Sequence, residues 1–154
     1  MERAVTLIAV LVAGVAVAAS LGRAQAASAR RYFNLPSRAV SGLPFSDAVL
    51  AGDTLYIAGR IALDPVTRKP PAEAEQEARQ VLDQVKQVLG EAGMTMDDLV
   101  SVTVYCSDVK YFDTWNKVYP GYFSGRDYPA RAFIGAGPLL FGARFEVQGI
   151  AVRR

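Results

Sequence analysis

Hydrophobic and polar positions change their period several times along the chain, and each change marks an element. Ala48-Val49-Leu50 and Leu55-Tyr56-Ile57-Ala58 are short apolar runs on either side of Gly52-Asp53, the punctuation of a hairpin. Asp64-Pro65 closes the second run, and Lys69-Pro70-Pro71 marks a turn. From about Ala72 to Ala92 the period lengthens. Ala78, Val81, Leu82, Val85, Val88 and Leu89 recur at i, i+3, i+4 and i+7, which makes one apolar stripe of a helix, and Gly93 suits the position just beyond its end. Leu99 to Val104 is a β-branched run that continues through Tyr105 and Cys106 as a strand. Asp108 suits the cap of a second helix with Phe112, Trp115, Val118 and Tyr119 on one face, ended by Pro120-Gly121. Two further strands are expected near Ala130–Ala136 and Ala143–Val152.

The order β-β-α-β-α-β-β predicts an α/β (α+β) sandwich, one mixed sheet with two helices on one face. The last strand is apolar at Phe145, Val147, Ile150 and Val152, in both phases, so the uncovered face needs a partner and a homo-oligomer is expected.

The N-terminus reads differently. Arg3 precedes an apolar run from Ala4 to Ala19, broken only by Thr6 and Gly14, and Ala24-Gln25-Ala26 is an A-x-A cleavage pattern. The run is slightly short for a membrane span of about 20 residues and is rich in Ala and Val. Residues 1–26 are therefore read as a signal peptide cleaved after Ala26, in preference to the alternative of a retained anchor, and the mature protein as exported, periplasmic or secreted. Residues 27–41, mostly small or polar with three arginines among them, read as a tether leading into a domain over 42–154.

Composition narrows the chemistry. With 51% hydrophobic residues the chain has enough apolar material for a core. It contains no histidine, which excludes a Ser-His-Asp triad, a Cys-His dyad and His-ligated zinc. The single cysteine, Cys106, supports neither an internal disulfide nor a cysteine-rich metal cluster and reads as a small buried hydrophobe. Proton transfer near neutral pH falls to a carboxylate, tyrosine, lysine or bound water. Without Arg3, Arg23 and Glu2 the 17 basic and 15 acidic residues become 15 and 14, too balanced for an electrostatic nucleic-acid binder. Trp115, Tyr119 and Phe112 read as helix core rather than a base-stacking platform, and a ribonuclease is the least favoured activity.

Two charges interrupt apolar strands: Arg131 in Tyr128-Pro129-Ala130-Arg131-Ala132-Phe133-Ile134, and Glu146 in Arg144-Phe145-Glu146-Val147-Gln148-Gly149-Ile150. A charge in a core strand is costly unless it is paired or used. Four blocks set these two in a wider pattern: Pro44-Phe45-Ser46-Asp47-Ala48-Val49, Ile57-Ala58-Gly59-Arg60-Ile61, Tyr128-Pro129-Ala130-Arg131, and Glu146 to Val152. In this order and spacing they resemble the Rid (YjgF-type) family of enamine/imine deaminases, over about residues 40–154. The resemblance implies a chorismate-mutase-like fold and a homotrimer with sites in the clefts between subunits. It implies that Arg131 binds the substrate carboxylate, assisted by the backbone N–H of Phe133, and that Glu146 orients or deprotonates water. Asn116 matches a polar position lining the family's cleft, and Gly59 matches a glycine whose backbone borders the substrate. Phe45 stands where the family usually has tyrosine, Ala58 where it has serine, Arg60 where it has glutamine and Leu140 where it often has proline.

The function implied is hydrolytic deamination of small 2-imino or enamine acids to 2-keto acids and ammonia, without cofactor or metal. The alternative is a non-catalytic protein, either binding a small carboxylate in the same cleft or acting as a holdase for unfolded chains. The expected partners are a small 2-imino or 2-keto acid and further copies of the chain, with no nucleic acid and, after signal cleavage, no membrane.

Overall fold

The computed structural model describes residues 30–36 and 42–154. The signal-peptide reading of residues 1–26 lies outside the described residues, as do parts of the tether reading. Six strands, β1 (Arg30–Phe33), β2 (Ala48–Ala51), β3 (Thr54–Ile61), β4 (Leu99–Cys106), β5 (Ala130–Gly135) and β6 (Phe145–Val152), form one sheet in the order β1-β2-β3-β6-β4-β5. All neighbouring pairs are antiparallel except β4 with β5, so the sheet is mixed. Two helices, α1 (Ala74–Glu91) and α2 (Phe112–Val118), complete the layered α+β fold expected from the element order.

One strand departs from that expectation. Residues 30–33, read as part of a tether, form β1 and pair in register with Ala48–Ala51. The strand is anchored at its end: the Leu35 N–H donates to Asp47 Oδ2 at 2.7 Å, the Asp47 N–H donates to the Phe33 carbonyl, and Leu35 is buried in the core.

The stripe on α1 is buried in full, from Ala78 to Leu89. Its C-terminus closes as a Schellman motif. Gly93 has φ 72°, its N–H reaches the Gly90 carbonyl, and the Met94 N–H reaches back to Leu89. At its N-terminal end, Glu77 is completely buried within the stripe. Its carboxylate accepts from the backbone N–H groups of Arg144 and Phe145 and pairs with the Arg144 guanidinium at 2.6 Å. Arg144 also donates to the carbonyls of Pro71 and Ala72, so this buried pair ties the first turn of α1 to the start of β6.

Asp108 does cap, but it caps a short 3-10 turn over Val109–Tyr111, its Oδ1 accepting from the Lys110 N–H, and this turn leads into α2. Trp115, Val118 and Tyr119 are buried beneath α2, whereas Phe112 is partly exposed and meets Phe133 edge to face. Cys106 is buried at the end of β4, as expected of a small hydrophobe, and burial pushes its thiol up. On the side of the sheet away from the helices, Tyr56, Ile134 and Val152 are exposed. Among the described residues no helix is long and apolar enough to cross a membrane.

Candidate active site

Arg131 and Phe133 alternate along β5, opposite Val102 and Val104 of β4. Those valines are core residues, and partners across a ladder share a face, so Arg131 and Phe133 lie on the helix side of the sheet. There α2 supplies two contacts to the guanidinium. Asn116 Oδ1 accepts from Arg131 Nη2 at 2.7 Å, and the Tyr119 ring lies beneath the guanidinium carbon, 4.7 Å from ring centroid to Cζ. The hydrogen bond and the ring together fix the plane of the fork. Burial pushes the Tyr119 phenol up to about 12, so it stays neutral at physiological pH and is no candidate base. Arg131 and Asn116 line a cavity of about 440 Å³, together with Tyr119, Pro120, Tyr128 and Pro129.

Glu146 belongs to a second cluster. Its chain neighbours Phe145 and Val147 are buried under the helices, so alternation turns Glu146 to the open face, beside Tyr105 of β4 and Ile61 of β3. Between Ile57 and Arg60 the β3–β6 register slips. The extra residue of this bulge lets Ile57 and Arg60, an odd number apart, both face the helices, where each is buried. Gly59, within the bulge, lies against the Glu146 carboxylate. A Cβ at position 59 would overlap Glu146 Oε1, so the glycine makes room for this carboxylate. Arg60 points the other way, into a buried ion pair with Asp47 and a 3.2 Å hydrogen bond to Gln84 on α1. Its departure from the family pattern therefore leaves the Gly59–Glu146 contact untouched.

The structure thus gathers the predicted residues into two groups. Arg131, Asn116 and Phe133 stand on the helix side at one edge of the sheet, and Gly59 and Glu146 on the open face. Phe45, half-exposed in the segment entering β2, lies outside the lining of the Arg131 cavity. Within a single chain Arg131 and Glu146 do not meet. Tyr119, assigned from sequence to the helix core, is both core and cavity wall; its i+3 spacing from Asn116 was the available signal. Among the described residues no cluster of carboxylates or cysteine could hold a metal ion.

The sequence matches the family described as Endoribonuclease L-PSP, the YjgF/Rid family, over residues 36–153. The chain belongs to this family. A 2-iminobutanoate/2-iminopropanoate deaminase of Bos taurus is 37% identical over 111 residues, covering 71% of this chain and 80% of that protein. A RutC family protein of Pyrococcus horikoshii is also 37% identical, over 71% of this chain and 87% of its own length. Among solved structures, the YjgF gene product of E. coli superposes with a TM-score of 0.72 at 31% identity, covering 80% of this chain and 99% of that one. The Rid fold read from the four sequence blocks is therefore the fold observed, and relatives within this family carry the name of imine deaminases.

Proposed function

We propose that the protein hydrolyses 2-imino or enamine acids to 2-keto acids and ammonia, without a cofactor. The observation that carries the reading is the guanidinium of Arg131, held by Asn116 and Tyr119 at a cavity wall. A fixed planar fork of this kind matches the two oxygens of a carboxylate. The names of the deaminase relatives support the chemistry on the neighbouring carbon. An enamine first takes a proton at carbon and gives one up from nitrogen, becoming the imine. Water then adds to the imine carbon, forming the C–O bond, while a proton passes to nitrogen. In the resulting carbinolamine a proton moves from the hydroxyl to the amino nitrogen, the C=O bond forms, and the C–N bond breaks to release ammonia. Glu146 orients the water and takes its proton. The imine is labile in itself, so positioning and acid–base help suffice.

Because Arg131 and Glu146 face opposite sides of one sheet, this reading assembles the site between copies of a homotrimer. The Arg131 edge of one subunit meets the Gly59–Glu146 face of the next. Mixing two inactive variants tests this arrangement. When Arg131→Ala and Glu146→Gln subunits are co-refolded, about one interface in four combines an intact Arg131 with an intact Glu146. Keto-acid release is expected to recover to that fraction of the wild-type rate. Mixtures no more active than their parents would exclude a site shared between subunits.

We also place the protein outside the cytoplasm, with residues 1–26 as its leader. N-terminal sequencing of the exported protein is expected to begin at Ala27, and an intact N-terminus would overturn cleavage.

A further inference from the structure

We infer that Glu77 and Gln84 of α1 are positioning residues for Glu146, fixing from beneath the sheet where its carboxylate stands. The inference rests on the reading of Glu146 as the group that orients the water. Among the described residues, none hydrogen-bonds or ion-pairs with the Glu146 carboxylate. Its place is therefore set by the backbone that carries it and by Gly59, which it touches. Both of these backbone segments are held by α1.

Glu77 holds the β6 side. Its Oε1 accepts from the N–H groups of Arg144 and Phe145 at 2.6 and 3.1 Å, and these are the two residues directly before Glu146. Gln84 holds the β3 side. Its Oε1 accepts from Arg60 Nη2 at 3.2 Å, and Arg60, paired with Asp47, is the residue after Gly59. The Asp47 carbonyl accepts from the Ala58 N–H at 3.0 Å, so the chain is held on both sides of Gly59. Seven residues separate Glu77 from Gln84. That is two helical turns, which puts both on one face of α1, about 10 Å apart. One helix thus fixes the two strands relative to each other where Gly59 leaves room for the carboxylate. All of these contacts lie within one chain, and Glu77 and Asp47 are completely buried, so a second copy over the open face leaves them in place.

The test compares Glu77→Met with Glu77→Gln on the full oligomer, measuring kcat, KM and thermal stability. Both variants lose the charge pair with Arg144, so both are expected to melt below the wild type. Only glutamine keeps a side-chain oxygen for the two N–H groups. Misplacing a reacting group by about 1 Å costs about 10²-fold in rate, so Glu77→Met is expected to lower kcat by about ten- to hundredfold. KM should stay unchanged, because Arg131 anchors the substrate elsewhere, and Glu77→Gln should restore most of kcat. A Glu77→Met protein that melts lower yet keeps the wild-type kcat would overturn the inference, as would equal losses of kcat in both variants. If Glu77→Met does not fold, Gln84→Leu decides, since it removes one bond and leaves the Asp47–Arg60 pair. A lower kcat at unchanged KM upholds the inference there, and a wild-type kcat overturns it. If the wild type turns over no imine, the deaminase reading fails, and amide hydrogen exchange in the folded variant decides the positioning on its own. Faster exchange at Gly59 and Glu146, with Leu55 and Ala151 at the far end of the same strands unchanged, upholds it. Exchange that is unchanged or uniformly faster overturns it.

Discussion

Replacing Arg131 with alanine is expected to weaken keto-acid binding by about two orders of magnitude and to collapse imine turnover with it. The guanidinium contributes charge-assisted hydrogen bonds to a carboxylate, and losing them costs about 3 kcal/mol, roughly a hundredfold in affinity. Alanine also leaves the Asn116 carbonyl oxygen without its donor and the Tyr119 face without its cation, so neither remaining group replaces the anchor. The fold should survive, because Arg131 lies on an edge strand, partly exposed, and takes no part in the buried Glu77–Arg144 or Asp47–Arg60 pairs. Keto-acid thermal shift and ammonia release, measured on the same preparation, check the two effects together. Wild-type turnover in this variant would remove the carboxylate anchor from the mechanism. Binding that depends on Arg131 in a wild-type protein without turnover would instead favour a carboxylate-binding role. A holdase activity indifferent to Arg131 would point away from the cleft altogether.

What the sequence disclosed follows from which physical signals are local. The helix α1 was legible because its apolar stripe repeats at the helical period and a glycine stands where the chain must turn left-handed. Strand β1 was not. Arg-Arg-Tyr-Phe at a sheet edge has no alternation, and what holds it, the Asp47 carboxylate and the β2 backbone, is more than ten residues away. Glu77 was overlooked although it interrupts the stripe four positions before Val81. An acid inside an apolar face signals a buried partner, but the partner, Arg144, is identified only by the fold. The motif residues Arg131, Glu146 and Gly59 were recognisable from their blocks, and the parity of Phe145 and Val147 already implied that Glu146 turns away from the core. The face of Arg131 was not implied by parity alone, since it depends on the β4–β5 register and on Val102 being buried opposite it. The bulge that sends Arg60 inward and leaves Gly59 under Glu146 is likewise a property of pairing, invisible in Ile-Ala-Gly-Arg-Ile.

Glu146→Gln should fail in a different way from Arg131→Ala. The amide keeps the size of the carboxylate and its place over Gly59, so the backbone bulge and the open face are preserved. It cannot take a proton from water. Keto-acid binding, anchored by Arg131 on another surface, is expected to stay near the wild-type level, while kcat falls by about 10²–10⁴-fold, the usual cost of removing one general base. The two variants thus separate binding from chemistry: one loses both, the other only turnover. The contrast also bears on assembly, because Glu146 sits on the open face that the proposal covers with a second copy. If Glu146→Gln prevents oligomer formation while activity per assembled site is unchanged, the carboxylate is an interface group. Water activation would then fall to another group or to solvent, and Gly59 would be small to fit the interface rather than the base.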